Sequence, residues 1–354
     1  MIISAIPNIN YATESRLSQT RLTKLVSLNN TKASFTTLSN MDKFFTANDV
    51  VIVNDSAVLP GSFQAIHVPS NLDVELRLVR FLGSDINDFT TWQALVYGKG
   101  DWHTPTENRL PPPSLCIGDL ILSNDLVAEI VSFSDLSPRL ITIKFTETDS
   151  NSLLSKIYTN GKLIQYSYLK NELDLWDHQT IFSSYPVSVE PSSSVFQLNW
   201  ELMMNLKAKG VTIIPITHAI SISNTGISDI DKKLPLSERY WISASSCDLL
   251  NEALDENKSF IAFGTSVTRA LESSISADHR FRAGSKNVDL VIDKEYNLKV
   301  TDGILTGMHM INESHINLLQ AFLSLDKIST AYDQAINKGF LWHEYGDSML
   351  IKSF

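Results

Sequence analysis

Apolar positions along the chain fall into two textures. Between residues 61 and 156 they come in short runs, mostly alternating or β-branched. These are Val74-Glu-Leu-Arg-Leu-Val-Arg80, Trp92-Gln-Ala-Leu-Val-Tyr97, Asp119-Leu-Ile-Leu122, Val127-Ala-Glu-Ile-Val-Ser-Phe133 and Leu140-Ile-Thr-Ile-Lys-Phe145. Clusters of Gly, Pro, Asp and Asn separate them, including Pro111-Pro-Pro113. Short strands with turn punctuation and no helical period predict an antiparallel sheet or small barrel. Residues 61–156 are read as an inserted all-β domain.

Around that block the texture is α/β, which assigns residues 1–60 and 157–354 to one main domain. Val50-Val-Ile-Val53 is a short apolar run ending at Asn54-Asp55 and a Leu59-Pro-Gly61 turn, the pattern of a buried strand. Trp200 to Lys209 reads as a helix, with Gly210 suited to the left-handed position beyond its last turn and the strand Val211-Thr-Ile-Ile214 at once after it. A helix over about 245–257, started by Ser245 and Asp248, leads to the strand Phe260-Ile-Ala-Phe263. A Gly264-Thr265-Ser266 turn then opens a helix carrying Arg269 and Glu272. Ile316, Leu319, Phe322 and Leu323 have helical spacing after Asn312, and Ser329 is expected to open a helix that stops near Gly339. Met349-Leu-Ile351 closes the chain as a strand. The fold class expected is therefore an α/β main domain with an inserted small antiparallel β-barrel domain.

Length and charge narrow the function classes. The 354 residues suit two domains, and 43% hydrophobic with 19% charged residues is an ordinary globular balance. The net charge of −10 argues against a protein that coats nucleic acid non-specifically. The β block carries half of that net charge, with seven Lys or Arg against twelve Asp or Glu. No apolar run approaches the roughly 20 residues that span a bilayer, and the N-terminus lacks the charge and apolar pattern of a signal peptide. Cys116 and Cys247 stand alone, which suits a reducing cytoplasm.

The eight histidines form no H-E-x-x-H and no Cys/His cluster, so no metal is expected. There is no G-x-S-x-G, Walker A loop or G-x-G-x-x-G. The most informative feature is Phe260 to Glu272, a strand turning through Gly264-Thr265-Ser266 into a helix. Free amides and hydroxyls there would hold a carboxylate or phosphate. They also fit ordinary capping beside a surface Arg269–Glu272 pair, the reading that the local pattern alone favours because capping by Ser and Thr is so common. His309, in Thr306-Gly-Met-His309, would either exchange a proton or serve as a hydrogen-bonded structural residue. Tyr345-Gly346-Asp347 is either a plain turn or a way to place Asp347 in a cleft. Asn54-Asp55 ends a strand where α/β sheets place ligands, and it too fits a turn.

Taken together, these segments resemble the S-adenosylmethionine:tRNA ribosyltransferase-isomerases of queuosine biosynthesis. Val53-Asn-Asp-Ser-Ala-Val-Leu-Pro60 is similar to the family's Leu-Asn-Asp-Thr-Arg-Val-Ile-Pro, and His178-Gln-Thr-Ile-Phe182 to its Tyr-Gln-Thr-Val-Tyr. Lys209-Gly-Val211 resembles its helix-to-strand junction. Ser237-Glu238 and Tyr240 match part of Met-His-Ser-Glu-Tyr-Tyr. Gly264 to Glu272 resembles Gly-Thr-Thr-Ser-Val-Arg-Thr-Leu-Glu, Leu305-Thr-Gly-Met-His309 resembles Leu-Thr-Asn-Phe-His, and Tyr345 to Ile351 resembles Tyr-Gly-Asp-Ala-Met-Leu-Ile. The match covers most of the chain, in order.

The resemblance implies a cytoplasmic enzyme that takes the ribosyl part of S-adenosylmethionine, as co-substrate rather than cofactor, to 7-aminomethyl-7-deazaguanine in tRNA. The sugar isomerises to give epoxyqueuosine, and adenine and methionine leave. S-adenosylmethionine and tRNA are the partners implied, with neither metal nor membrane. The implied titratable groups are His309, Glu238, His218, Asp347 and Asp55. Substrate would meet Gly264, Thr265, Ser266, Arg269 and Tyr345, with Arg269 on the methionine carboxylate or an RNA phosphate. The chain also departs from the family pattern. Pro-Thr-Ala-Gly-Leu-His-Phe becomes Pro191-Ser-Ser-Ser-Val-Phe-Gln197, and His-Val-Gly-x-Gly-Thr-Phe becomes His218-Ala-Ile-Ser-Ile-Ser-Asn224. Pro235-Leu236 stands for Met-His, and Ala57 for the Arg of Asn-Asp-Thr-Arg. Those changes keep two other readings in view: a paralogue with another acceptor, and a non-catalytic binding protein on the same scaffold.

Overall fold

Every residue of the strand Asp49–Asn54 is buried, the mark of a central strand covered on both faces. The computed structural model describes residues 9–15, 20–310 and 314–352. Among them, nine strands form one mixed sheet. At its centre lie four parallel neighbours, in the order Thr212–His218, Asp49–Asn54, Ser259–Phe263 and Thr301–Gly307. Glu238–Ile242 and then Gly284–Val288 extend one side antiparallel. Ser348–Lys352, Lys24–Leu28 and Ala33–Thr37 extend the other. Helix Ala244–Asp255 and helix Thr265–Ser274 bury Leu250, Val267 and Leu271 with Val50, Ile52 and Ile214 of the sheet. The opposite face takes Leu202, Met203 and Leu206 of helix Trp200–Ala208 against Val51, Val53 and Phe263.

Six further strands close an antiparallel barrel, in the order Leu126–Ser134, Ser137–Phe145, Thr91–Gly98, Leu72–Phe81, Ser62–His67 and Leu120–Ser123. All lie within the residues expected to form the insert. Alternation along Leu72–Phe81 sends Val74, Leu76 and Leu78 into the barrel core. Glu75 and Arg77 take the other face, paired at 2.8 Å, where Arg109 also meets Glu75. The chain leaves the barrel through helix Ser150–Asn160 and Gly161. A Cβ on Gly161 would lie 2.2 Å from the Pro60 carbonyl oxygen and 2.9 Å from the Phe63 ring. Gly161→Ala is therefore expected to cost about 1–3 kcal/mol as overpacking at this junction, read as a lower urea midpoint. An unchanged midpoint would show that the junction relaxes freely.

Several local expectations shift. The helix expected to start at Ser245 begins at Ala244, because Ser243 supplies the capping hydroxyl to the Ser246 amide. The last helix runs Leu325–Asn337, so Ser329 lies a turn inside it, and Gly339 follows with φ 67°. Helix Ser314–Leu319 ends before Phe322 and Leu323; Asn312 lies outside the described residues. Gly210 takes the left-handed conformation, φ 84°.

Candidate functional site

The carboxyl ends of the four parallel strands share one edge of the sheet. His218, Asn54-Asp55, Gly264 and Gly307 follow one another along it. The antiparallel neighbours start there: His218 pairs with Tyr240, just inside Glu238, and Gly307 pairs with Ser348, just after Asp347. Residues far apart in the chain thus meet where open α/β sheets bind ligands.

At one end stands a buried ionic cluster. The Arg269 Nη1 donates to Glu238 Oε2 at 2.6 Å, and its Nε donates to the Leu290 carbonyl at 3.0 Å. His218, with no exposed surface, has Nδ1 2.9 Å from the Ser266 carbonyl and Nε2 3.1 Å from Glu238 Oε2. A carbonyl only accepts, so the Nδ1 proton fixes the ring between helix and strand. The Ser221 amide and hydroxyl donate to the other Glu238 oxygen at 2.8 and 2.7 Å. Burial opposes ionisation of Glu238, yet Arg269, His218 and Ser221 outweigh it and hold the carboxyl well below the usual range.

This cluster corrects two expectations. Arg269 and Glu272 do not form a surface pair, because both are buried and each has other partners. The Glu272 carboxylate accepts the amides of Lys299, Val300 and Thr301 at 2.8, 3.1 and 2.9 Å. Arg269, expected to hold a substrate anion, spends its donors on Glu238 and backbone carbonyls. The imidazole that joins the Arg269 cluster is His218. His309 stands four strand steps from Glu238, roughly 19 Å at a typical strand spacing.

Asp55 follows the end of the central strand Asp49–Asn54, where its amide donates to the Ile216 carbonyl at 3.0 Å. Its Oδ1 accepts the Thr217 hydroxyl at 2.6 Å. Burial pushes its carboxyl above the ordinary range, and the Thr217 hydroxyl and its own amide offset only part of that. The preceding Asn54 donates to the His218 carbonyl and accepts the His218 amide, both at 2.9 Å, locking the two strand ends together. A raised carboxyl on such a rigid, half-buried ledge is suited to taking a proton.

A strap crosses above this edge. Tyr185–Ser188 runs parallel to Ser56–Val58, and Ser188 Oγ lies 2.6 Å from Ser56 Oγ. The strap continues through Glu190 to the altered Pro191–Gln197 segment. Glu190 accepts the Tyr166 hydroxyl and is pushed up, mainly by burial. A Cβ on Gly264 would lie 3.0 Å from Ser194 Oγ and 3.5 Å from Ser192 Oγ. Neither Glu190 nor Ser192 was among the expected site residues. The signal available was the polar run from Glu190 to Ser194 set between Val189 and Val195.

The far end of the edge is built differently. His309 Nε2 lies 2.7 Å from the Thr306 hydroxyl, and its ring stacks on His315 with centroids 4.1 Å apart. Asp347 accepts the Lys24 and Leu341 amides at 2.7 and 2.9 Å, so both its oxygens staple backbone. Tyr345, expected to meet substrate, is fully buried. Its ring stacks on Phe196, and its hydroxyl lies 2.8 Å from His178 Nδ1. Nearby, Tyr166, Tyr168, His343 and Tyr11 form a ladder of rings with successive centroids 6.3, 4.6 and 4.8 Å apart. His343 holds its place at φ 74°, a costly conformation for a non-glycine residue. Tyr11 ends the ladder, 43% exposed.

Among the described residues no three His, Cys, Asp or Glu side chains are grouped to hold a metal ion, and no helix is long and apolar enough to cross a membrane.

The chain matches the family described as "Queuosine biosynthesis protein" over residues 6–351. It is 28% identical to a Cytophaga hutchinsonii protein named S-adenosylmethionine:tRNA ribosyltransferase-isomerase, over 87% of this chain and 86% of the relative. A Staphylococcus saprophyticus protein of the same name is 26% identical over the same shares. The solved structure of an S-adenosylmethionine tRNA ribosyltransferase from Thermotoga maritima shares the fold, with TM-score 0.50, 17% identity and coverage of 97% of this chain and 99% of that one.

Proposed function

From the premise that this chain belongs to the queuosine biosynthesis protein family, we propose that it transfers the ribosyl part of S-adenosylmethionine to 7-aminomethyl-7-deazaguanine in tRNA. The sugar isomerises to the epoxide of epoxyqueuosine as adenine and methionine leave. The observation that carries this reading is the gathering of Asp55, His218 and the Gly264–Ser266 corner on one sheet edge, within a chain that matches its relatives over nearly their whole length.

The reaction needs a base beside a cationic carbon acid, a held amine and a proton for departing adenine. Asp55 is the base. The sulfonium makes the neighbouring C–H acidic, and a carboxylate raised by burial accepts that proton better than an exposed one would. Asp55 and Glu190 also give the edge an acidic character that complements the sulfonium and the amine. His218, Glu238 and Arg269 are positioning residues: the cluster fixes the Ser266 carbonyl and with it the start of helix Thr265–Ser274. His309, held by Thr306, exchanges the adenine proton. Asp347 and Tyr345 shape the loop behind it. S-adenosylmethionine is consumed as a co-substrate, and the enzyme works in the cytoplasm, without a metal.

tRNA is read by stacking more than by charge. Arg280 pairs with Asp255, Arg282 with Asp278 and Lys232 with Asp229, which leaves little net positive patch. The ring ladder ending at exposed Tyr11 offers a face for an unpaired base, a contact typically worth about 1–3 kcal/mol. Tyr11→Ala is therefore expected to raise the KM for tRNA about tenfold while leaving the KM for S-adenosylmethionine unchanged. An unchanged KM for tRNA would remove the ladder from recognition. The reaction itself is tested by chromatography of adenine released from S-adenosylmethionine. Release that requires tRNA bearing the precursor base supports the proposal, and release independent of tRNA points to another acceptor.

A further inference from the structure

Helix Thr265–Ser274 starts without any side-chain cap. Its fourth amide, from Thr268, donates to the Gly264 carbonyl at 3.1 Å. The amides of Thr265, Ser266 and Val267 make no hydrogen bond with described residues. Unpaired amides at a helix start, together with the helix dipole, favour a negative charge. A second observation points the same way. Ser192, 6% exposed, has a buried hydroxyl with no hydrogen-bond partner. It hangs from the strap directly over Gly264, within 3.5 Å of where a Cβ would stand. Leaving such a group unpaired costs stability, so an unfilled donor beside three unfilled amides marks a place for an acceptor.

We propose that this pocket takes the α-carboxylate at the methionyl end of S-adenosylmethionine, with the Ser192 hydroxyl and the helix amides as its donors. The inference rests on the function proposed above. It moves the carboxylate from Arg269, already neutralised by Glu238, to neutral donors at the helix start. Neutral donors suit a monoanion. A phosphate dianion would meet Asp55 and Glu190 along the same edge, with Arg269 already neutralised by Glu238 and unable to offset them. A zwitterionic ligand satisfies both halves of the site, its carboxylate on the helix and its cationic centres toward Asp55.

Calorimetry of the full chain with S-adenosylmethionine and with its decarboxylated form tests this, because the two share the sulfonium and differ in the carboxylate. The wild type is expected to bind the decarboxylated form at least about tenfold more weakly. Ser192→Ala is expected to weaken S-adenosylmethionine about three- to tenfold and to leave the decarboxylated form unchanged, while Ser192→Thr restores most of the loss. An unfolding midpoint equal to wild type guards against a folding defect. Equal wild-type affinity for the two ligands, or equal loss of both in Ser192→Ala, overturns the assignment. If tRNA-dependent adenine release persists in that case, only the carboxylate pocket falls. If neither ligand binds and no adenine is released, the functional reading falls with it.

Discussion

Glu238→Ala will lower stability by about 3–5 kcal/mol in urea unfolding, the largest effect expected of any single change in this protein. The carboxylate is 5% exposed, and it neutralises Arg269 while touching His218 and Ser221. Removing it leaves a guanidinium buried without its counter-charge and a serine amide without its acceptor. Glu238→Leu combined with Arg269→Met should recover much of the loss, because neither charge then remains to be desolvated. The pH dependence follows from the direction of the Glu238 shift. A carboxyl depressed in the folded state contributes stability above its unfolded pKa, and that contribution is lost as pH falls through the folded value. The wild-type advantage over Glu238→Ala should thus be complete above the ordinary carboxylate range and shrink progressively as pH falls through that range into stronger acid. A loss under 1 kcal/mol would show that the cluster contributes nothing to the corner it joins.

Asp55→Asn will reduce turnover about 10²- to 10⁴-fold, the range expected for losing a general base, while S-adenosylmethionine still binds within a few-fold. The supporting measurement is the pH profile of kcat/KM. Asp55 must be ionised to accept the proton, and burial raises its pKa, so the acid limb should lie above the ordinary aspartate value of about 4. Thr217 donates to the ionised carboxylate, so Thr217→Val should move that limb to still higher pH. A limb that stays put in Thr217→Val, or survives in Asp55→Asn, would assign it to another group.

The parts of this fold legible in sequence are those where burial writes a continuous or alternating pattern. Val50–Val53 and Phe260–Phe263 are buried on both faces and read as apolar runs, while the barrel strands alternate. Gly284–Val288 was not legible, because four of its five residues are exposed at the sheet's edge and carry no apolar pattern. Chain-local capping misplaced the start of two helices, since Ser243 and Ser245 are equivalent in type and only the backbone distinguishes them.

The site divides in the same way. Strand ends carrying Asp55 and Gly264 were legible because a turn residue follows an apolar run, whereas His218, four residues past the strand read over Val211–Ile214, entered only through the family resemblance. The partners were not legible. Arg269 and Glu272, three residues apart on one helix, looked like a surface pair, and the real partner of Arg269 is Glu238, 31 residues earlier at the start of a strand. Tyr345 and Asp347 read as a Gly-containing turn, yet both are buried, Tyr345 against Phe196 and His178 and Asp347 on the Lys24 and Leu341 amides. Ser192 acquires meaning only from the Gly264 corner beneath it, 72 residues away in the chain.

Mass spectrometry of nucleosides from tRNA bearing 7-aminomethyl-7-deazaguanine, incubated with S-adenosylmethionine and either wild type or Asp55→Asn, tests the reaction centre most directly. The account predicts conversion to epoxyqueuosine by the wild type and near-complete loss in the variant. Unmodified tRNA after incubation with folded wild type, or equal conversion by both proteins, would contradict it.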